Sequence, residues 1–429
     1  MSGLRASSAT MLVVASMIGT GIFTTSGFLL GDLGSKPAVI TAWVVGGLLA
    51  MCGALAYAEL GAALPKNGGE YQLLTRIYHP AVGFLAGITT VIVGFAAPIA
   101  ACAIAFGNYL AAAFPGIPPR RAAIALVLVT SLVHSAKEST GFRWQDFATY
   151  GKIVLIVVFL VAGSTGPLVH FDEPPRAPLF ETMISSPFAI SLFWVGFAYS
   201  GWNAASYLAG EVVDPARTLP RATMWGTIVV TFLYLALNVI YLAGAPAAKL
   251  AGQLEVGQIA ASELLGPIAG RGFALMIAIG LVATTGAYVM TGPRIAEAMG
   301  SDFPRLAWIS KRSPETGPRR AITLQALVAL AMVLNADYSA LITAVGFVLQ
   351  LWAGLTVLGV IVLRVREPNL PRPYKAHGYP VTPVAFVALT AWMIVRPIVE
   401  KPEVLLKAAL ALGVGLALYA WISRPVPAE

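Results

Sequence analysis

Twelve stretches of at least 15 residues contain no Asp, Glu, Lys or Arg: 6–31, 37–58, 77–119, 122–136, 153–171, 182–210, 222–248, 272–293, 321–336, 338–363, 376–395 and 408–423. A bilayer core about 30 Å thick takes about 20 apolar residues as helix. Nine of the runs therefore span outright, while 122–136, 321–336 and 408–423 need a flanking charge that snorkels to the interface. Only 11% of the 429 residues are charged, against about 25% in soluble proteins, which excludes a water-soluble enzyme. The predicted fold class is an all-α membrane protein of 12 transmembrane helices, with both termini on one side of the lipid bilayer.

Basic residues decide which side. With the N-terminus inside, cytoplasmic loops hold 18 of the 28 Lys and Arg and the opposite loops hold nine, with Lys152 left within a helix. Both termini are accordingly expected in the cytoplasm of a cell, or inner, membrane. The net charge of +8 is spread over separate short loops, which argues against nucleic acid as a partner. Cys52 and Cys102 both lie in apolar runs, so no disulfide framework is indicated. The first run, 26 residues long, exceeds the apolar region of a cleaved signal and is expected to remain in the mature chain.

Two runs are interrupted at matching places. The first contains Ser16-Met17-Ile18-Gly19-Thr20-Gly21-Ile22-Phe23, and the sixth contains Phe197-Ala198-Tyr199-Ser200-Gly201-Trp202-Asn203, with 180 residues between Gly21 and Gly201. Small residues in mid-span also serve plain helix packing. Interruptions at corresponding positions of two halves, however, point to a transporter binding site. The expected organisation is a transport core over 1–364, with one five-helix repeat at about 6–171 and a second, inverted repeat at about 182–364. Residues 365–429 would add a cytoplasmic loop and helices 11 and 12. Five is odd, so the second repeat must enter from the opposite side.

A broken helix exposes amides at one new end and carbonyls at the other, and in hydrocarbon something polar must meet them. The amides of Gly21, Ile22 and Phe23 form a positive helix end suited to a carboxylate. The carbonyls of Met17, Ile18, Phe197, Ala198 and Ser200 suit an ammonium. A zwitterionic amino acid carries both groups. No Asp, Glu or His lies in 16–26 or 194–206, which favours a neutral side chain, although the ring of Trp202 or Phe197 offers a face to a cation.

At these residues the chain resembles a known family. SMIGTGIF (16–23), YAELGAALPKNGGEYQLL (57–74), FAYSGWN (197–203), DPARTLPRA (214–222) and RPYK (372–375) are similar to the L-type amino acid transporters of the amino acid, polyamine and organocation superfamily. The resemblance runs from about residue 8 to about residue 395. It implies a LeuT-type fold of two inverted five-helix repeats plus two further helices, alternating access, and sodium-independent exchange. By position it implies carboxylate contacts at Thr20 and Gly21, and amine contacts at the carbonyls of Met17, Phe197, Ala198 and Ser200. It further implies a gating role for Phe197, and Asn203 as a polar contributor to the pocket; Ile18, Gly19, Gly201 and Trp202, which lie in the two breaks, complete the expected substrate-binding residues. Eukaryotic members carry a cysteine in the external loop after helix three that links them to a glycoprotein. Here that loop, 111–121, has none, which argues against a disulfide-linked heavy chain and for a stand-alone prokaryotic protein.

Lys152 follows Arg143 by nine positions, about 13 Å along a helix. It reads either as a snorkelling lysine or as an intramembrane site. The resemblance implies that its ammonium stands where sodium sits in sodium-coupled cousins, contacting the unwound first helix and the hydroxyls of Thr284 or Thr285. Proton coupling through it is left open. Glu59, Glu211, Glu297 and Asp337 are expected in interfacial or gate ion pairs, and Gly68-Gly69 in a re-entrant cytoplasmic loop. The four histidines are scattered and no HExxH occurs, so neither a metal, a cofactor nor a membrane-embedded enzyme is expected. The predicted function is sodium-independent exchange of small to medium neutral L-amino acids. The alternatives are a proton- or sodium-coupled symporter, or a cationic amino acid or amine transporter on the same fold.

Overall fold

Among the described residues each charge-free run is mostly helical. The computed structural model describes residues 6–66, 68–136, 139–166, 174–207, 212–310, 318–400 and 403–424. The first run is split into α1 (Ala6–Met17) and α2 (Gly21–Leu33), followed by α3 (Lys36–Ala63) and the short α4 (Gly69–Ile77). A single rod, Pro80–Ala113, joins α5 (Pro80–Thr89), a π-helical stretch (Thr90–Ala96) and α6 (Ala97–Ala113). Then come α7 (Pro119–Ala136), α8 (Ser139–Ser164), α9 (Leu179–Met183), α10 (Ser186–Tyr199), α11 (Ala204–Tyr207) and α12 (Pro215–Gly244). The chain continues through α13 (Ala247–Leu250), α14 (Val256–Leu265), α15 (Pro267–Asp302), α16 (Ala307–Ser310), α17 (Arg319–Asn335), α18 (Tyr338–Arg366), α19 (Val381–Glu400) and α20 (Glu403–Ile422).

Among the described residues six helical stretches are long and apolar enough to cross a bilayer, and the bent pair α1–α2 makes a seventh. The chain is an all-helical integral membrane protein. Three of the remaining charge-free runs lie on helices of 14 to 18 residues for identifiable reasons. Helices α7 and α17 begin on Arg120-Arg121 and Arg319-Arg320, and α10 stops at Tyr199 in the middle of its run. Helix starts follow local chemistry: the Ser35 hydroxyl accepts from the Ala38 amide at 3.3 Å, the Ser185 hydroxyl accepts from Phe188 at 3.3 Å, and a proline opens each helix.

The two interrupted elements occupy the centre. Ten of the 13 residues of α2 and twelve of the 14 in α10 are buried, as expected for helices apolar on all sides. Small residues let the neighbours close in. A Cβ on Gly47 of α3 would lie 2.6 Å from Thr231 of α12, and one on Gly46 would strike Val195 of α10. The segment carrying α13 and α14 rests directly on α2. The Gly252 amide donates to the Gly27 carbonyl at 2.7 Å, and a Cβ on Gly27 would run into the backbone of Leu250 and Gln253. On the periphery α8 and α20 turn Val154, Val161, Leu410 and Val414 outward, an apolar face fitted to lipid.

One charged cluster ties the other end together. Glu59, 2% exposed at the side chain, accepts from Arg364 at 2.9 and 2.6 Å and from the Ala376 amide at 2.7 Å, with Arg372 at 3.5 Å. Arg364 also lies 3.7 Å over the Tyr379 ring. Arg372 donates to the carbonyls of Leu363, Glu367 and Leu370 at 2.9–3.0 Å, closing the C-terminal end of α18. Nearby, Arg76 pairs with Glu367 at 2.8 Å and its hydrogen bond holds that carboxyl below the usual glutamate range. Of the other acids expected in ion pairs, Glu211 lies outside the described residues. Asp337 departs from the expectation: it precedes α18 with no ion-pair partner among the described residues, since no basic side chain sits in the short turn after Asn335.

Breaking the buried pair leaves an uncompensated charge, so Glu59→Ala is expected to cost about 3–5 kcal/mol of stability. Arg76→Ala, at a pair half exposed to solvent, is expected to cost far less. Thermal unfolding of the detergent-solubilised variants checks this, and equal midpoints for the two would contradict it.

Candidate substrate site

Helix α1 ends at Met17 and α2 begins at Gly21, with a 40° bend between them. Phe23 turns its amide back to Thr20 at 3.0 Å, while the amides of Thr20, Gly21 and Ile22 find no backbone acceptor among the described residues. In the second interruption Ser200 leaves helical geometry at ψ 146°, and Gly201 takes φ +105°, a region open to glycine and strained for other residues. The two breaks pack against each other reciprocally. A Cβ on Gly21 would lie 2.5 Å from Cα and Cβ of Ala198, and a Cβ on Gly201 would lie 2.6 Å from the carbonyl of Ser16. Each interruption is thus seated on the last turn of the helix that the other interrupts.

A residue absent from the sequence reading joins them. The Tyr234 hydroxyl of α12 donates to the Met17 carbonyl at 2.5 Å and lies 3.2 Å from the Ala198 carbonyl. Its ring is held between Trp43, at 5.5 Å edge-on, and Tyr199, at 5.1 Å. Cys102 was equally unmarked: its thiol lies 3.1 Å from the Thr20 hydroxyl. Thr24, one turn further along α2, shares a 2.5 Å hydrogen bond with Tyr338 of α18. The Tyr288 hydroxyl of α15 faces the first break, 3.9 Å from where a Gly19 Cβ would stand. The spacing Thr227, Tyr234, Asn238 puts polar groups on one face of an otherwise apolar α12, and that stripe was the available signal.

Lys152 of α8 is buried, and its ammonium donates to Thr284 Oγ1 at 2.6 Å and to the Ile18 carbonyl at 3.3 Å. Gly280 makes room for the stem, since a Cβ there would meet Lys152 Cγ at 3.3 Å. Both threonine hydroxyls turn back to their own helix, Thr284 to the Gly280 carbonyl at 3.1 Å and Thr285 to the Leu281 carbonyl at 2.8 Å, and Lys152 donates to Thr284. The Lys152 amine therefore stands at the C-terminal, carbonyl-bearing end of α1, where a helix dipole favours a cation.

The rest of the second interruption divides by direction. Phe197 is buried and its carbonyl accepts from the Ser200 amide at 3.0 Å. Trp202 packs edge-on against Tyr57 of α3 at 4.8 Å and against Phe386 of α19 at 6.3 Å, in the slot left by Gly53. Asn203 donates to Glu70 Oε1 at 3.3 Å, and the Tyr57 hydroxyl donates to the same oxygen at 2.6 Å. Trp202 and Asn203 thereby anchor the broken helix to α3 and α4, whereas Ile18, Gly21 and Ala198 face the opposed break.

An amide-bearing helix end and a carbonyl-bearing helix end thus lie against each other in the middle of the helical bundle. A family model described as "Amino acid permease" matches residues 4–410. The chain belongs to the amino acid permease family. Among curated relatives, the rabbit (Oryctolagus cuniculus) large neutral amino acids transporter small subunit 2 is 31% identical, over 96% of this chain and 77% of its own length. The mouse (Mus musculus) Asc-type amino acid transporter 1 is 30% identical over 97% and 81%. The human (Homo sapiens) b(0,+)-type amino acid transporter 1 is 30% identical over 91% and 81%. This permease is a membrane transport protein for amino acids and not an enzyme.

Because Gly21 and Ala198 touch through backbone, Gly21→Val is expected to force the two breaks apart and abolish substrate binding by the permease. Scintillation proximity binding on the folded variant checks it, and wild-type affinity would contradict the crossing as the site.

Proposed function

We propose that this permease exchanges small to medium neutral L-amino acids across the cell membrane without sodium, by alternating access in a LeuT-type architecture. On this reading twelve spans form two inverted five-helix repeats, about 6–171 and 182–364, with α19 and α20 appended and both termini cytoplasmic. The substrate carboxylate meets the amides of Thr20 and Gly21 beside Ile18 and Gly19. The amine meets carbonyls from Met17, Phe197, Ala198 and Ser200, and Phe197 closes over the bound molecule. The observation that carries the reading is the reciprocal seating of Gly21 on Ala198 and of Gly201 on Ser16, which sets the unpaired amides of one break beside the carbonyls of the other.

Sodium independence rests on Lys152. Its ammonium already donates to the Ile18 carbonyl and to Thr284, and so supplies the positive charge that a bound cation would otherwise bring to those oxygens. The same contact favours proton coupling as the second reading, because loss of that proton would release the carbonyl. The names of the relatives, which refer to large neutral amino acids and to Asc-type and b(0,+)-type amino acid transport, support an amino acid as the cargo. The 111–121 loop, which lacks cysteine, supports a permease that works without a disulfide-linked partner.

Counterflow into proteoliposomes separates these readings. Exchange predicts uptake of labelled amino acid only when unlabelled amino acid is loaded inside, unchanged when sodium is replaced by choline. Uptake into empty vesicles that requires a sodium gradient would overturn it, and uptake driven by a proton gradient would select the second reading. Lys152→Ala is expected to lower the exchange rate at least tenfold with little change in thermal stability, and wild-type flux would reduce the lysine to a bystander.

A further inference from the structure

Residues 294–320 carry six of the 28 Lys and Arg, and substrate recognition uses none of them. The arginines around α18 are committed: Arg364 and Arg372 meet Glu59, and Arg366 donates to the Ile77 carbonyl at 3.4 Å. Arg305, Arg319 and Arg320 differ, with no carboxylate at ion-pair distance among the described residues. The acid nearest to Arg305 in the sequence, Asp302, accepts from the Tyr71 hydroxyl at 2.5 Å. The segment carrying Arg305 is two-sided. After α15, a 3-10 turn (Pro304–Leu306) leads into α16, and Leu306 and Ile309 pack inward with Ala296 of α15, Ala321 of α17 and Val91 of the rod. Trp308 turns outward, 48% exposed. The Arg305 guanidinium lies 4.8 Å over the ring of Trp421 at the end of α20, itself 54% exposed. Arg320, exposed at the start of α17, donates to the Trp308 carbonyl at 2.9 Å.

Two arginines and two indoles thus meet where α15, α17 and α20 end. Ends of membrane helices lie at headgroup depth, where indoles settle because the ring is apolar and the N–H polar. Stacking on an indole holds a guanidinium by its face and leaves its N–H edge free, and that edge matches two oxygens of a phosphate. Basic pockets between helices at this depth take up anionic headgroups. We propose that the surface formed by Arg305, Trp308, Arg320 and Trp421 binds the headgroup of an anionic phospholipid from the adjoining leaflet, the phosphate meeting the two guanidinium groups. A zwitterionic headgroup brings a cation of its own beside the phosphate, so it leaves the charge of the arginines uncompensated and is held less strongly. Headgroup binding here does not depend on the solute that the permease carries.

Native mass spectrometry of the detergent-purified permease, supplied with phosphatidylglycerol or phosphatidylcholine of the same acyl chains, tests the proposal. The wild-type protein is expected to retain phosphatidylglycerol at least tenfold more strongly. One basic side chain near an anionic headgroup is worth about a fivefold change in binding. Arg305→Gln/Arg320→Gln is therefore expected to bring the preference to within about threefold of unity, and each single variant to weaken it about fivefold. Arg217→Gln/Arg221→Gln, exposed at the start of α12, is expected to keep the wild-type preference. A ligand of the folded state raises stability, so phosphatidylglycerol is also expected to raise the unfolding midpoint of the wild-type protein more than that of Arg305→Gln/Arg320→Gln. Equal retention of the two lipids by the wild-type protein overturns the proposal, whatever the variants do. So does a tenfold preference kept by Arg305→Gln/Arg320→Gln, or the same loss in both double variants, which would mark a general attraction to basic loops. Displacement of the lipid by excess inorganic phosphate would mark a site for soluble anions and overturn it too. If the double variant does not fold, the wild-type ratio and the single variants decide.

Discussion

A helix interrupted inside hydrocarbon strands amides and carbonyls where water does not reach, at a cost of several kcal/mol for each group left alone. The centre of this permease is arranged around two such interruptions. Their carbonyls are met by groups from elsewhere in the chain: Tyr234 reaches Met17 and Ala198, and Lys152 reaches Ile18. The amides at the start of α2 receive no such partner among the described residues. Carbonyl ends dressed with donors beside an amide end left open form a polarised site in an apolar medium, and anions are held at such amide ends in general.

Rigidity and freedom are distributed around that centre. Three segments hold the bundle at one end: Glu59 from α3, Arg364 from α18 and Arg372 with Ala376 from the loop that follows, in a network that buries the carboxylate. The second interruption is tethered towards the same region through Asn203 and Glu70. Across the molecule, the covering segment around Gly252 is seated on α2 by one backbone hydrogen bond and close glycine contacts. Contacts of that kind, short in reach and made by backbone, separate without exposing a charge. The Glu59 cluster does not have that property.

Much of this was legible in one dimension because a membrane imposes one-dimensional rules. The charge-free runs mark helices, and glycine with serine or threonine in mid-run marks the interruptions at 18–20 and 200–203. Lys152 stood out because an ammonium in an apolar run has few places to go. What stayed hidden depends on pairing across the chain. Tyr234 meets a carbonyl 217 positions away, Thr24 meets Tyr338 over 314 positions, and Cys102 meets Thr20 over 82; a tyrosine or cysteine in an apolar run gives no local sign of such a partner. Trp202 and Asn203 lay inside the interruption, yet their side chains turn towards α3 and α4, just after Gly201 leaves helical geometry at φ +105°. Residue order gives the position of a break and leaves the direction of its side chains to tertiary packing.

The central claim is that the amide end at the start of α2 takes the carboxylate of the substrate, and that the carbonyl ends of α1 and α10 take its amine. Competition by analogues that lack one group at a time tests it most directly: the methyl ester of a transported amino acid, and the corresponding 2-hydroxy acid. Both are expected to compete at least 100-fold more weakly than the parent amino acid. Competition by either analogue at the parent's concentration would contradict the account, because the helix end assigned to the missing group would then contribute nothing to recognition.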